Sequence, residues 1–345
     1  MINTQRSTGL DIVRTLAVLL VITTHSIAYL GPMDNNVLSF KWTIYLIIRF
    51  TALSCVPLFI LLTGYLNRKK KLSAGYYLGI LPVVISYVII SALGLIYSNI
   101  RGGSALTFSS AVRSILDFSA NGYAWYVEMY IGLFLIIPFL NILFDALGSL
   151  RNRMMLCVVL CVITCLPQAV ESFRVGGVSL DVIPEYWQDC YPITYYFIGA
   201  MIGEYQPKLK KRFSIPLALL LIAIPSGLCW LYSSPEEGYA WYMMNGFGCI
   251  TTGGMAVGLF IALYDIQLPK VVDIVFREFS VCSFEMYLFS YIVDQLIYSG
   301  QRYLMPLMVL TVFALSYILA RILRLIVVPL YRIIKQKRNI KVKAV

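Results

Sequence analysis

"TGLDIVRTLAVLLVITTHSIAYL", residues 8–30, decides how the rest of the chain is read. It is long enough and apolar enough to cross a hydrocarbon core of about 30 Å as a helix, which takes about 20 residues. Yet it carries Asp11, Arg14 and His25, and His25 is the sole histidine in 345 residues. An ionisable group inside a bilayer is costly unless it is paired or faces a wet cavity, so each is a functional candidate. On a helix, Arg14 and His25 point within about 20° of each other, and Asp11 lies about 40° from His25. All three share one face, with Arg14 and His25 about 16 Å apart along the axis. Ser26-Ile27-Ala28 faintly resembles a signal cleavage site, but the charged and polar residues around Leu16–Ile22 suit an uncleaved first span better.

Composition extends this reading to the whole chain. Hydrophobic residues make up 59% and charged residues 13% of the sequence, and the mean hydropathy is +0.78. A soluble surface cannot be built from that mixture, so the fold class is all-α: a polytopic integral membrane protein. The net charge of +11 does not point to nucleic acid, because the basic residues cluster in short segments between apolar runs. Cys157, Cys161 and Cys165 recur on one face of an apolar run, as small buried hydrophobes do. With one histidine and no CxxC pair, no metal site is expected.

Apolar runs fall near residues 9–30, 42–66, 76–98, 123–145, 154–170, 191–206, 213–232, 240–264, 279–298 and 304–329. These predict about ten transmembrane helices in a single domain, 1–345, with both termini cytoplasmic and a basic tail at about 332–345. The sixth run is the weakest, being short and containing Glu204. Of the 28 Lys and Arg residues, 19 fall on the expected inner segments, five on the outer ones and four inside spans. That is the bias expected of cytoplasmic loops. Gly-Tyr-Ala-Trp-Tyr occurs at both 122–126 and 238–242, each at the expected outer start of a span. It reads either as an interfacial aromatic belt or as a platform on which sugar rings stack, with Trp125 and Tyr126 as the candidate binding residues.

The remaining ionisable residues sort by depth into two layers. His25, Arg49, Glu128 and Asp294 fall near the outer side, and Asp11, Arg14, Glu285, Arg321 and Arg324 near the inner side. A polar passage open to both faces would account for both. Blander readings exist: Asp11 and Arg14 as an interfacial pair, and Arg321 and Arg324 as snorkelling topology determinants. An imidazole beside a carboxylate in a wet cavity suits general-base catalysis, with Glu128 or Asp294 to orient it.

These residues resemble the membrane-bound acyltransferase 3 family of bacteria. The resemblance lies in Asp11-x-x-Arg14 followed by His25, "RFTALSCVPLFILLTGYL" at 49–66, "WYVEMYIGLFLIIP" at 125–138 and "SFEMYL" at 283–288. It implies an enzyme of the bacterial inner membrane that moves an acyl group, often acetyl, from cytoplasmic acyl-CoA to a hydroxyl of an envelope glycan or lipid-linked acceptor. Acyl-CoA would be a substrate, with no permanently bound cofactor. On this reading His25, Arg14 and Glu128 carry catalysis, and Asp11, Arg49, Glu285 and Asp294 meet substrate. Arg68, Lys69, Arg321 and Arg324 would meet the CoA phosphates, although Arg68–Lys71 also serve as a positive-inside anchor. Many members end the late motif with Tyr-Leu-x-His, whereas Tyr287-Leu288-Phe289-Ser290 stands here, so a second histidine is lacking. The alternative is a proton-coupled transporter or flippase of an envelope saccharide or lipid.

Overall fold

A computed structural model describes residues 7–30, 39–102, 107–175, 178–208, 211–234, 238, 240, 242–298 and 305–343. Among the described residues fifteen α-helices follow in chain order: α1 (Thr8–Leu30), α2 (Phe40–Ala52), α3 (Cys55–Asn67), α4 (Ala74–Tyr77), α5 (Leu81–Ile100), α6 (Phe108–Leu116), α7 (Trp125–Ala146), α8 (Leu150–Thr164), α9 (Leu166–Glu171), α10 (Glu185–Gln188), α11 (Tyr191–Tyr205), α12 (Lys211–Tyr232), α13 (Ile250–Leu263), α14 (Lys270–Ile297) and α15 (Met305–Lys343). Among the described residues the only paired strands are two-residue segments at Arg174–Val175 and Val178–Ser179. The all-helical expectation holds.

Six segments are long and apolar enough to cross a membrane among the described residues: Thr8–Tyr29, Phe40–Asn67, Ala74–Ile100, Trp125–Ala146, Leu150–Glu171 and Met305–Ile334. Pro216–Tyr232 and Ile250–Leu263 are apolar but shorter. The other expected spans coincide with helices that depart from the simple pattern. The 15 residues of α11 and the 14 of α13 reach only about 20 Å each. At 28 residues α14 is long enough, but it includes Lys270, Asp273, Arg277, Glu278, Glu285 and Asp294.

Several boundaries differ from those read in the sequence. The run 42–66 is broken at Leu53-Ser54 into α2 and α3. Pro57 explains the break, since it lacks an N–H and its ring would collide with the carbonyl of Leu53 in a continuous helix. The run 240–264 becomes helical only at Ile250, behind a pinned turn. Helix α14 begins at Lys270 rather than near 279, and α15 carries helix through Lys343, so the expected tail is helical to that point.

The chain divides into two compact units, Met1–Lys70 with Phe139–Ser280, and Lys71–Pro138 with Val281–Val345. Two of the boundaries lie inside helices, in α7 at Pro138 and in α14 after Ser280. In the first unit α3 and α11 pack most closely. A side chain at Gly64 would strike the Tyr196 carbonyl, and one at Gly199 the Leu61 carbonyl. Small residues that bring backbones together are the membrane substitute for hydrophobic attraction between helices. Below this crossing Arg68, 6% exposed, bonds Asp145 at 2.6 Å and approaches Glu204 at 3.6 Å. Its guanidinium and that of Arg153 each lie 4.3 Å from the centre of the Phe144 ring. Two basic residues from the expected inner loops therefore hold this unit together, and Glu204 at the end of α11 has an ion-pair partner. In the second unit Tyr76 stacks on Phe134 at 4.4 Å and donates to its carbonyl at 2.7 Å, joining α4 to α7.

Candidate functional site

The first unit contains Asp11, Arg14, His25 and Arg49. The start of α1 is locked in place by polar contacts and by a close approach. Thr8 donates to Asp273 at 2.5 Å, Ser7 donates to the Tyr264 carbonyl at 3.2 Å, and Gly9 leaves no room for a side chain against Leu263 and Tyr264. One turn on, Ser280 of α14 joins Asp11 to Arg14. Its hydroxyl donates to Asp11 Oδ1 at 2.5 Å and accepts from Arg14 Nη1 at 3.2 Å. A serine has one proton and two lone pairs, so this bridge uses both its donor and an acceptor site. Asp11 is only 4% exposed, and Arg14 is half-buried. Asp11 and Arg14 are thus linked through a second helix rather than standing as an exposed pair on α1.

Further along the same helix, His25 is half-buried between buried Thr24 and Ser26. The Thr24 hydroxyl donates to the Leu20 carbonyl of its own helix at 2.9 Å, and α1 packs against α3. Arg49, in the last turn of α2, donates from Nη2 to Asn245 Oδ1 at 3.2 Å. Asn245 belongs to the turn ahead of α13 that the sequence suggested would be helical.

The second unit contains Glu128, Glu285, Asp294, Arg321 and Arg324. Glu285, 3% exposed, accepts Arg324 Nη1 at 3.1 Å on Oε1 and 3.3 Å on Oε2, and Ser86 donates to Oε1 at 3.2 Å. The structure therefore brings Glu285 and Arg324 together as an ion pair. Arg321 is exposed. Asp294 has no exposed surface. Its Oδ2 accepts the Tyr123 hydroxyl at 2.7 Å, while Oδ1 has no hydrogen-bond partner among the described residues. Glu128 is exposed in the first turn of α7, where the helix dipole favours a carboxylate.

The aromatic repeat divides by position. In the first copy Trp125 is 37% exposed, whereas Tyr126 is 9% exposed and packs edge-on to Tyr287 at 5.8 Å. Tyr123 of the same copy serves as the hydrogen-bond donor to Asp294. In the second copy Tyr239 and Trp241 lie outside the described residues. Ser290, in the place of the family histidine, is fully buried and donates to the Tyr287 carbonyl of its own helix at 2.7 Å. Lys69 is exposed beside the paired Arg68.

Sequence reasoning missed Ser280, Asn245, Tyr123 and Ser86, the neutral residues that hold the charged ones. Only Tyr123 carried a signal, by its place in the repeat. Serines and asparagines are common in apolar helices, and nothing local marks the one that faces a charge.

No curated protein and no solved structure matches the chain. A family model described as an acyltransferase domain matches residues 7–325, running through both units and covering the charged residues from Asp11 to Arg324 described in this site. With its apolar helices and its match over nearly the whole sequence, the chain belongs to the acyltransferase 3 family of multi-pass membrane acyltransferases.

Proposed function

We propose that the protein is an O-acyltransferase of the bacterial inner membrane, taking an acetyl group from cytoplasmic acetyl-CoA to a hydroxyl of an envelope glycan or lipid-linked acceptor. The observation that carries the proposal is the first helix. Its sole imidazole shares a face with an arginine held by Ser280 and a buried Asp11. The reading also takes ten spans with both termini cytoplasmic: each apolar run contains helix, though 42–66 is broken at Leu53-Ser54 and 240–264 is helical only from Ile250, and the basic residues cluster on alternate connections.

In this mechanism His25 takes the proton of the acceptor hydroxyl as its oxygen attacks the thioester carbonyl carbon. The C–S bond then breaks, and His25 returns the proton to the departing CoA sulfur. Arg14 grips the donor with its planar fork, and the Asp11–Ser280 contact holds that fork in one orientation. Arg49 stabilises the charge on the carbonyl oxygen. Lys69 and Arg321, which are exposed, are the basic residues proposed to meet CoA phosphates, whereas Arg68 and Arg324 are paired with carboxylates. Glu128 and Asp294 are the carboxylates proposed to meet the acceptor.

The test is purified protein in liposomes with labelled acetyl-CoA and envelope extract. Label should move into glycan or lipid-linked material, with free CoA released in equal amount. Inside-out vesicles should use added acetyl-CoA, and sealed right-side-out vesicles should not. Movement of an unmodified saccharide or lipid without CoA release would instead establish a transporter.

A further inference from the structure

The segment Tyr242–Cys249, between α12 and α13, is pinned more heavily than a connection requires. Ser172 accepts the Met244 N–H at 2.7 Å, Tyr195 donates to the Phe247 carbonyl at 2.9 Å, and Ile250 donates to the Cys165 carbonyl at 3.1 Å. Met244 is held at φ +48°, a left-handed conformation that is strained for a residue with a long side chain. Gly246 and Gly248 lie so close to the Gln168 side chain that a Cβ at either would strike its amide. Strain retained by surrounding contacts points to a function.

Beside this turn is a cavity of about 300 Å³ lined by Gln168, Glu171, Ser172, Tyr242, Asn245 and Gly246. Its lining is rich in acceptors. Gln168 Oε1 is buried and has no hydrogen-bond partner among the described residues. Glu171 accepts Gln188 on Oε1 at 2.5 Å, and its second oxygen can accept from a ligand. Asn245 links the cavity to Arg49. Tyr242, from the second copy of the aromatic repeat, is 41% exposed and supplies an aromatic face.

We infer that this cavity is an acceptor subsite for a single neutral pyranose ring, an inference that rests on the acyl-transfer reading above. The ring hydroxyls donate to Gln168 and Glu171, and its C–H face lies on Tyr242. Asn245 ties the subsite to the arginine assigned to the carbonyl oxygen. The volume lies at the small end of the range for ligand pockets, about 300–1,000 Å³, which suits one sugar ring.

The experiment uses the full chain in nanodiscs with methyl β-D-glucopyranoside and methyl α-D-mannopyranoside as probes. Saturation-transfer NMR reads binding, and acetyl transfer from acetyl-CoA to the same probes reads turnover. Tyr242→Ala and Gln168→Ala should each weaken binding and raise the acceptor KM by about tenfold or more, as loss of an anchoring contact does. Tyr242→Phe should recover most of the affinity lost in Tyr242→Ala, which separates loss of stacking from misfolding. Acceptor KM unchanged in both alanine variants, with transfer intact, would overturn the subsite and leave the enzyme reading standing. Probe binding that depends on Tyr242, without acetyl transfer to probe or envelope extract, would support the subsite and overturn acyl transfer. Failure of both pyranosides to bind the wild type would overturn the subsite.

Discussion

Ser280→Ala tests whether Arg14 acts from a fixed position. Ser280 makes two hydrogen bonds to charged groups, one to Asp11 Oδ1 at 2.5 Å and one from Arg14 Nη1 at 3.2 Å. Such bonds contribute about 1.5–3 kcal/mol each, and a buried partner left unsatisfied costs about 1–3 kcal/mol. Arg14 is half-buried and recovers part of its loss from water, whereas Asp11, 4% exposed, recovers little. A net effect of about 2 kcal/mol corresponds to about a 30-fold fall in kcat/KM for acyl-CoA, at about 1.4 kcal/mol per factor of ten. The assay is initial CoA release from inside-out vesicles across a range of acetyl-CoA concentrations, with thermal unfolding in detergent measured alongside. If Ser280 works through Arg14, the double variant Ser280→Ala/Arg14→Ala should be no slower than Arg14→Ala alone, since contacting residues are not additive. A single variant within about twofold of wild type, or a double variant whose losses add, would refute the positioning role.

His25→Ala should lower acyl transfer by about 10² to 10⁴, the usual cost of losing a general base, while acetyl-CoA binding measured by calorimetry persists. His25→Gln should be nearly as slow; wild-type turnover in that variant would return His25 to a structural role. Arg324→Ala leaves Glu285 buried without its cation, a change that costs about 3–5 kcal/mol for a fully buried pair. Because the Arg324 side chain is 27% exposed, a loss at or below the low end is expected in detergent melting. Replacing both residues with leucine should restore much of it, and an unchanged melting temperature for Arg324→Ala would show that the pair contributes little. Gly199→Val should prevent α3 and α11 from closing, since its side chain would meet the Leu61 carbonyl, and should be read as a lower melting temperature and reduced yield. A fully stable valine variant would show that the two helices can separate without penalty.

Local composition was enough to establish that this is a helical membrane protein. Runs of about 20 apolar residues can satisfy their own backbone only as helices in lipid, so α1, α5, α7 and α8 stand close to where hydropathy put them. The ordered motifs from Asp11 to Leu288 identified the family, and the matched region 7–325 contains them all. Helical geometry also placed Asp11, Arg14 and His25 on one face, because that relation depends only on spacing along one helix. Tertiary structure alone decided what each charge touches. Arg68 resembled any other member of a basic loop until it was found between Asp145 and Glu204. Glu285 and Arg324 were assigned to different roles from sequence, and the structure pairs them. The hydropathy of 240–249 gave no indication of a turn strained at Met244. Hydropathy reports whether a segment tolerates lipid, averaged over a window. The partner of a buried charge is fixed by side chains that packing brings together from distant parts of the chain, and in Ser280 that partner is a neutral residue with no pattern of its own.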